Sequence, residues 1–205
     1  MARLILLRHA QSHRHVSLPA KDWPLSALGI QQAELLVPVF EREKIDGIYS
    51  SPYQRCIDTA APLASRLGLE VQSVDALREC HLTQGFVEDF QTLWEQSWAD
   101  FNFCLQDGET CSSGQKRAVD YLERLASTQQ GKTIVVSTHG NLISLILNRL
   151  DPSFDARHAR ELHNPDLFFL TWHQGMLNWD KSLDGRKLLS HFSRHNSETP
   201  PQNNR

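Results

Sequence analysis

The sequence lacks the features of a membrane, disulfide-rich or metal-binding protein. No apolar run approaches the length that spans a bilayer, and the apolar N-terminal stretch passes directly into Arg8 and His9 without the features of a signal peptide. The four cysteines form no C-x-x-C pair, show no zinc spacing and are too few for a disulfide framework. These absences predict a cytoplasmic protein with no membrane partner, whose cysteines are small buried side chains.

An excess of positive charge is also absent. The 205 residues contain 21 Lys and Arg against 24 Asp and Glu, which gives a net charge of −3. A general nucleic-acid binder usually has a basic excess. The sequence therefore predicts no nucleic-acid partner, and any attraction for anions must come from a local cluster. The length fits one α/β domain with a full core.

Short apolar runs alternate with amphipathic segments along the chain. The predicted strands cover residues 3–7, 47–49, 69–71, 132–137, 167–172 and 176–179, and the predicted helices cover 26–40, 52–67, 86–105, 110–127 and 141–150. This alternation favours an α/β fold, a three-layer α/β/α sandwich with a mostly parallel central sheet. We expect one domain over residues 1–195, with residues 80–108 as a helical cap insert and residues 196–205 as a disordered tail.

Serine and proline residues predict the boundaries of the first two helices. Ser26 is the expected N-cap of the first helix, and Pro38 should kink or end it, because proline has no N–H for the bond to the preceding turn. Ser51 is the expected cap of the second helix, with Pro52 at its first position. Arg55 would then lie in the first helical turn, where unpaired N–H groups and the helix dipole favour an anion.

Two histidines stand at the ends of apolar, β-rich runs far apart in the sequence. His9 follows the first predicted strand together with Arg8, and His139 follows the strand predicted at 132–137 together with Gly140. The ends of parallel strands open onto the crevice where α/β proteins bind ligands. We therefore expect a cationic pocket that contains a nucleophile, which suits phosphoryl transfer.

These motifs and several between them resemble the histidine phosphatase superfamily, also called the phosphoglycerate-mutase-like superfamily. The Arg-His-Gly signature of that family corresponds to Arg8–Ala10, and its second histidine motif to His139–Gly140. The other matching segments, in family order, are residues 22–33, 50–60, 77–79, 108–110 and 164–166. The resemblance covers residues 3 to about 172 and implies a phosphoglycerate-mutase-like fold and a phosphatase.

The resemblance implies a role for each matched residue. His9 is expected to become phosphohistidine, and Glu79 to act as the general acid, because burial and a nearby dianion should make it hold its proton more tightly. The other implied catalytic residues are Arg8, Arg55 and His139. The implied phosphate ligands are Arg8, Ser12, Arg55, His139 and Gly140, with His15 at the substrate rim. The chemistry needs no metal or other cofactor, and the expected partner is a small phosphorylated substrate.

The sequence departs from the family pattern near both the nucleophile and the acid. Ala10 replaces the glycine that usually follows the nucleophile, and its methyl group is expected to narrow the backbone approach to phosphate. His15 stands where an asparagine is common. The segment after Glu79 lacks the aromatic and acidic residues of many relatives, so specificity does not carry over from the family.

Several functions remain open at this stage. The first is a cofactor-independent phosphatase that acts on a small phosphomonoester. A mutase-type phosphoryl transferase is the second, although the chain is short and lacks the extended mutase segment after the acid. The third is a non-catalytic phospholigand-binding protein of the same fold, and a protein-phosphohistidine phosphatase fits the long cap insert less well. The sequence determines neither the physiological substrate nor the oligomeric state. A homodimer is one of the open possibilities.

Overall fold

The computed structural model describes residues 1–15, 17–40, 43–83 and 88–189. Its strands are β1 (Ala2–Arg8), β2 (Gly47–Ser50), β3 (Val71–Ser73), β4 (Thr133–Thr138), β5 (Asp166–His173) and β6 (Met176–Trp179). Its helices are α1 (Ala27–Phe40), α2 (Gln54–Leu67), α3 (Phe90–Ala99), α4 (Cys111–Thr128), α5 (Gly140–Leu150), α6 (Ala156–Arg160) and α7 (Gly185–Leu188). In the part of the chain that the structure describes, none of these helices is long and apolar enough to cross a membrane. The tail predicted at 196–205 lies outside the described residues.

The six strands form one sheet in the order β3-β2-β4-β1-β5-β6. Neighbours from β3 to β1 are parallel, and β5 is antiparallel to both β1 and β6. The edge strand β3 lies two residues later than predicted, because it pairs in register with residues 48–50 of β2. The mostly parallel order confirms the predicted fold class.

Successive residues of β1 pack on opposite faces of the sheet. Leu4 and Leu6 belong to the cluster that contains α4 and α5, whereas Ile5 and Leu7 belong to the cluster that contains α1 and α2. Because helices cover both faces, the strand is apolar along most of its length instead of alternating with polar residues. This packing produces the three layers expected from the sequence.

Helix α1 has the predicted start and the predicted end at Phe40, and Pro38 does not end it earlier. The N–H of Gly29 donates to the Ser26 hydroxyl at 3.0 Å, which confirms Ser26 as the N-cap. Pro38 lies inside the helix, which continues to Phe40. Because Pro38 is exposed, water can satisfy the carbonyl group that lacks its helical donor, so the proline is tolerated in the last turn.

Helix α2 begins later than predicted. It starts at Gln54, so Ser51 is not its N-cap and Pro52 is not its first residue. The hydroxyl of Ser51 instead forms a hydrogen bond of 2.7 Å with Nε2 of His139. This contact with a buried imidazole replaces the predicted capping interaction. Arg55 still lies in the first turn, as predicted.

The cap insert contains a shorter helix than predicted. Helix α3 ends at Ala99 rather than near residue 105, and residues 86–87 of the predicted helix lie outside the described residues. Asp89 caps α3 by accepting the N–H of Thr92 at 3.0 Å. Phe101 lies beyond the end of α3 and still packs on Trp98. Its aromatic side chain continues the apolar spacing of the helix in the sequence, so the predicted helix was too long.

The four cysteines carry free thiols. Cys56, Cys80 and Cys111 are buried, as predicted, whereas Cys104 is partly exposed. Burial raises the pKa of the Cys56 thiol, which keeps this group in its neutral form.

Candidate active site

Four side chains from three parts of the chain converge at one edge of the sheet. Arg8 ends β1 and His9 follows it, while His139 follows β4, the strand that pairs with β1. Arg55 lies at the start of α2, which follows β2 on the other side of β4. Parallel strands bring their carboxyl ends to the same edge, so the predicted convergence is observed. We call Arg8, His9, Arg55 and His139 the cationic floor.

The ring of His9 is held in one tautomer. Its Nδ1 lies 2.7 Å from the carbonyl oxygen of Ala10, which can only accept a hydrogen bond, so Nδ1 carries the proton. Nε2 therefore has a free lone pair and accepts a hydrogen bond from Nε of Arg55 at 3.2 Å. The side chain of Asn164 donates to the His9 carbonyl at 2.7 Å and anchors the backbone. An unprotonated imidazole nitrogen is a competent nucleophile.

Burial and neighbouring cations keep both imidazoles neutral. Burial first, and then the charge of Arg55, lowers the pKa of His9 to about 3. The pKa of His139 lies well below its usual range, because this ring is completely buried and Arg55 and His9 are close. At neutral pH the nucleophilic nitrogen of His9 is consequently unprotonated in nearly every molecule.

Arg55 spans the floor and orients the second imidazole. Its Nη2 donates to Nδ1 of His139 at 3.1 Å, and its Nη1 donates to the Ala20 carbonyl at 2.7 Å. Because Nδ1 of His139 accepts this bond, Nε2 carries the proton and donates to the Ser51 hydroxyl. The rings of His9 and His139 meet edge to face, with centroids 5.4 Å apart. One guanidinium group thus contacts both imidazoles.

Arg8 reaches across the N-terminus of α5. Its Nη1 donates to the carbonyl of Leu162 at 2.6 Å, whereas its buried Nε has no hydrogen-bond partner among the described residues. Gly140 makes this close approach feasible, since a Cβ atom there would lie 2.8 Å from Nε of Arg8. A buried donor without a partner is unfavourable, and an anion in the floor would satisfy it.

Glu79 lies at the N-terminus of α5, close to the floor. Its Oε1 accepts the N–H groups of Cys80 and Leu142, both at 2.9 Å, and Oε2 accepts that of Asn141 at 3.3 Å. Burial raises the pKa of Glu79 above its ordinary value, although these N–H groups and Arg55 act in the opposite direction. The direction agrees with the sequence prediction. A carboxyl group that holds its proton more tightly is suited to general acid catalysis.

Two residues without a role in the sequence analysis support the nucleophile. Thr59 accepts the N–H of Ala10 at 2.9 Å and donates to the carbonyl of Arg55 at 2.6 Å. Asn164 holds the other side of the same loop through the His9 carbonyl. Thr59 lies four residues after Arg55, so helical spacing could have placed both on one face. Both residues also fall within matched segments.

Two predicted positions, Ser12 and His15, lie outside this hydrogen-bond network. Ser12 pairs with Leu25 in an isolated antiparallel bridge and is partly exposed. His15 is exposed, with its ring 6.2 Å from that of His13. The phosphate contact of Ser12 and the rim role of His15 therefore stay predictions. The methyl group of Ala10 packs in a small apolar cluster that includes Leu25, so the extra carbon has a place in the core.

A cleft of about 460 Å³ opens beside the floor. It is lined by Pro19, Ala20, Lys21, Tyr53, Arg78, His81, Asp107, Gly108 and Glu109. Tyr53 links the cleft to the floor, since its ring lies 4.9 Å from the ring of His139 and 4.9 Å from Cζ of Arg55. Its hydroxyl forms a hydrogen bond with Nε2 of His81. The sequence motifs assigned no role to Tyr53 or to His81.

The charges on one side of this cleft are compensated. Glu109 accepts two hydrogen bonds from Arg117, at 2.8 and 2.7 Å, and one from Arg78 at 3.2 Å. We call Tyr53, Arg78, His81 and Glu109 the cleft wall. Within the described ranges, no group of three or more histidine, cysteine or carboxylate side chains is arranged to hold a metal ion.

Comparison with known proteins places these motifs in one family. The sequence matches the family model of the histidine phosphatase superfamily (branch 1) over residues 4–182. Phosphoserine phosphatase 1 from Hydrogenobacter thermophilus is 33% identical over 155 residues, which cover 68% of this chain and 71% of that protein. Phosphoglycerate mutase-like protein 4 from Arabidopsis thaliana is 29% identical over 177 residues, which cover 80% of this chain and 76% of that protein. A mycobacterial glucosyl-3-phosphoglycerate phosphatase, solved with inorganic phosphate, has a TM-score of 0.73 at 25% identity over 89% of this chain and 96% of that one.

Proposed function

This chain belongs to branch 1 of the histidine phosphatase superfamily, and we propose that it is a phosphatase that hydrolyses small phosphomonoesters through a phosphohistidine at His9. The tautomer of His9 carries the proposal. Its Nδ1 proton is bound to the Ala10 carbonyl, so the lone pair of Nε2 faces the guanidinium group of Arg55. The names of the phosphatase relatives support hydrolysis as the reaction class.

In the proposed first step, Nε2 of His9 attacks phosphorus and the bond to the ester oxygen breaks. The guanidinium groups of Arg8 and Arg55 bind the equatorial oxygens of the transferring group through directed N–H bonds. Glu79 gives its proton to the leaving oxygen, so the alcohol departs in its neutral form. The carbonyl of Ala10 continues to accept the Nδ1 proton while His9 carries the phosphoryl group.

In the proposed second step, a water molecule attacks the phosphohistidine. Glu79, now a carboxylate, accepts a proton from this water as the new P–O bond forms. The P–N bond breaks, and its electron pair returns to Nε2 of His9. Inorganic phosphate leaves and Glu79 is again protonated, so the cycle consumes one water molecule.

The names of relatives suggest a leaving group that carries a carboxylate. The cleft is lined by two cationic side chains, Lys21 and Arg78, and by two anionic ones, Asp107 and Glu109, of which Glu109 is already bound by Arg78 and Arg117. Phosphoserine and phosphoglycerate, which occur in the names of relatives, both carry a carboxylate next to the phosphorylated carbon chain. We therefore choose phosphoserine and 3-phosphoglycerate as the first substrates.

The test is phosphate release from 4-nitrophenyl phosphate, phosphoserine and 3-phosphoglycerate in the presence of a chelator. Wild type should turn over, and His9→Asn should lose activity by about three orders of magnitude or more. Exposed His173 provides the matched control, because His173→Asn should keep full activity. Brief reaction with labelled substrate should place acid-labile phosphate on His9. Full activity in His9→Asn would overturn the proposal.

A mutase would give a different product from the same experiment. One relative is named a phosphoglycerate mutase-like protein, so a mutase is the second candidate function. With 3-phosphoglycerate and a bisphosphoglycerate primer, isomer conversion that outpaces phosphate release would identify a mutase. Binding of inorganic phosphate with no turnover of any ester would identify a phospholigand-binding protein.

A further inference from the structure

The side chain of Asn141 joins the cap helix α3 to the first turn of α5. Its Oδ1 accepts the indole N–H of Trp94 at 3.0 Å and that of Trp98 at 3.1 Å. The two tryptophans are four residues apart on α3, so they lie one above the other on the same helix face. We call Trp94, Trp98 and Asn141 the indole latch.

The backbone at the same position contacts Glu79. The N–H of Asn141 donates to Oε2 of Glu79, and the N–H of the next residue, Leu142, donates to Oε1. On its other side Oε1 accepts the N–H of Cys80, which begins the chain segment that leads to α3. The carboxyl group of Glu79 therefore lies between the two segments that the indole latch connects.

Further contacts hold α3 against α6 and against the turn that follows α3. Arg160 of α6 lies 5.1 Å from the ring of Trp94 and forms an ion pair with Glu95 at 2.6 Å. Phe101 meets the ring of Trp98 edge to face at 5.5 Å. The two tryptophans are therefore held in place by contacts with α6 and with the turn after α3. A displacement of Asn141 would break its hydrogen bonds to both indoles.

We infer that the indole latch positions Glu79 for proton transfer by holding the first turn of α5 against the segment that follows this residue. Trp94 and Trp98 do not touch reacting atoms, so they are positioning residues and not catalytic ones. The inference rests on the proposed function, because it assumes that Glu79 protonates the leaving oxygen. It adds three residues that no motif of the sequence identified.

A positioning role predicts a specific kinetic pattern. A strongly basic leaving group needs a well-placed proton donor, whereas a weakly basic nitrophenolate leaves without one. A misplaced Glu79 should therefore slow esters of basic alcohols and phenols more than nitrophenyl esters. General damage to the fold would slow all esters by the same factor.

The experiment measures kcat/KM for substituted phenyl phosphates of graded leaving-group basicity. The double variant Trp94→Phe/Trp98→Phe removes both indole N–H groups and keeps aromatic packing. We expect kcat/KM to fall about tenfold for phenyl phosphate and less than about threefold for 4-nitrophenyl phosphate. Both losses are smaller than the full rate factor that general acid catalysis supplies, because Glu79 is displaced and not removed. Plotted against leaving-group pKa, log kcat/KM should therefore fall more steeply than in wild type.

A further variant controls for loss of structure. Trp179→Phe changes an indole that packs on Phe154 and Phe168, away from α3, and should leave the slope unchanged. A parallel loss for all esters in the double variant would overturn the positioning role.

Glu79→Gln separates failure of this inference from failure of the proposed function. If Glu79→Gln steepens the slope and the latch variant does not, the latch is structural and the proposed acid stands. If Glu79→Gln leaves the slope unchanged, Glu79 is not the acid, and both the assignment of the acid and the inference about the latch fall. In that case the labelling of His9 by substrate still tests the proposed nucleophile independently of the acid.

Discussion

The cationic floor and the cleft wall lie next to each other, but they balance charge in opposite ways. In the floor, Arg8 and Arg55 donate to carbonyl groups and to neutral imidazoles. In the wall, Glu109 is paired with Arg78 at 3.2 Å and with Arg117 at 2.7 Å. The floor therefore keeps a positive potential for a ligand to neutralise, whereas the charge of Glu109 in the wall is already compensated by Arg78 and by neighbouring Arg117.

This difference separates recognition of the common group from selection among substrates. The phosphoryl group is the same in every ester, so changes in the floor should affect all esters alike. Under the proposed function the wall contacts the variable part of the ester, so changes in the wall should alter the ranking of esters. Among the described residues, neither buried Arg55 nor partly buried Arg8 forms an ion pair with a carboxylate, so anion binding should stabilise the folded protein.

The largest expected effect comes from Arg55→Gln, which breaks the floor. The variant loses the contacts of Arg55 with His9 and His139 and one set of phosphate donors. We expect kcat/KM to fall by about three orders of magnitude for 4-nitrophenyl phosphate and for phosphoserine. Arg55→Lys should also fail, because an ammonium group cannot reproduce the planar fork. A loss confined to one ester would contradict the division between floor and wall.

Acid should destabilise the floor, because His9 and His139 fold in their neutral forms. The unfolded chain binds protons on both residues below about pH 6.5, whereas folded His9 titrates only near pH 3. The free energy of unfolding should therefore decrease as pH falls below 6.5, by up to about 1.4 kcal/mol per pH unit for each histidine. Denaturant unfolding between pH 7 and pH 5 measures this slope.

The control for this slope uses single histidine variants. His139→Gln should reduce the pH dependence, while His173→Gln, on an exposed site, should leave it unchanged. Glu79 contributes to this pH dependence with the opposite sign. Because its pKa is raised in the folded state, the folded protein binds its proton more tightly, which increases the free energy of unfolding as pH falls. An unchanged slope in His139→Gln would mean that this ring is not held neutral by the fold.

Gly140→Ala should displace Arg8 and so test how closely the floor is packed. The new Cβ atom would lie 2.8 Å from Nε and 2.9 Å from Cζ of Arg8, which forces the guanidinium group to move. We expect kcat/KM to fall by about tenfold to a hundredfold for all esters. The double variant with Arg8→Ala should lose little more than Arg8→Ala alone, and additive losses would contradict this coupling.

The smallest expected effect is that of Tyr53→Phe in the wall. The variant keeps the ring against His139 and Arg55 and removes only the hydrogen bond to His81. We expect a change of up to about fivefold in KM for phosphoserine, the scale of one neutral hydrogen bond, with 4-nitrophenyl phosphate nearly unaffected. Equal effects on both esters would place Tyr53 with the floor.

The sequence predicted the floor because its positions follow from local rules. Arg8 and His139 stand at strand ends and Arg55 at a helix start, and parallel pairing brings such points together. Boundaries failed where tertiary contacts took over a local signal, as when the Ser51 hydroxyl contacted His139 instead of capping α2. The short helices α6 and α7 contain too few residues for an apolar period to appear.

The wall and the indole latch were not predictable by the same rules. Tyr53 and His81 are 28 residues apart, and Asn141 is 47 and 43 residues from its two indoles. No periodicity or motif spacing relates such pairs, because the loops between them determine which side chains meet. Strand topology thus specifies the chemistry of this protein, while the loops specify what that chemistry acts on.

The central position of β1 gives the biosynthesis of this protein a definite order. His9 leaves the ribosome well before β4, which begins at Thr133, and before Asn164, which lies 155 residues after His9. Until those segments emerge, β1 is an apolar strand with two unpaired edges, which are templates for aggregation. A nascent chain that stops before Asn164 lacks the hydrogen bond that anchors the His9 carbonyl, and one that stops before β4 also lacks His139. Activity should therefore arise in one late event during translation, and not accumulate gradually.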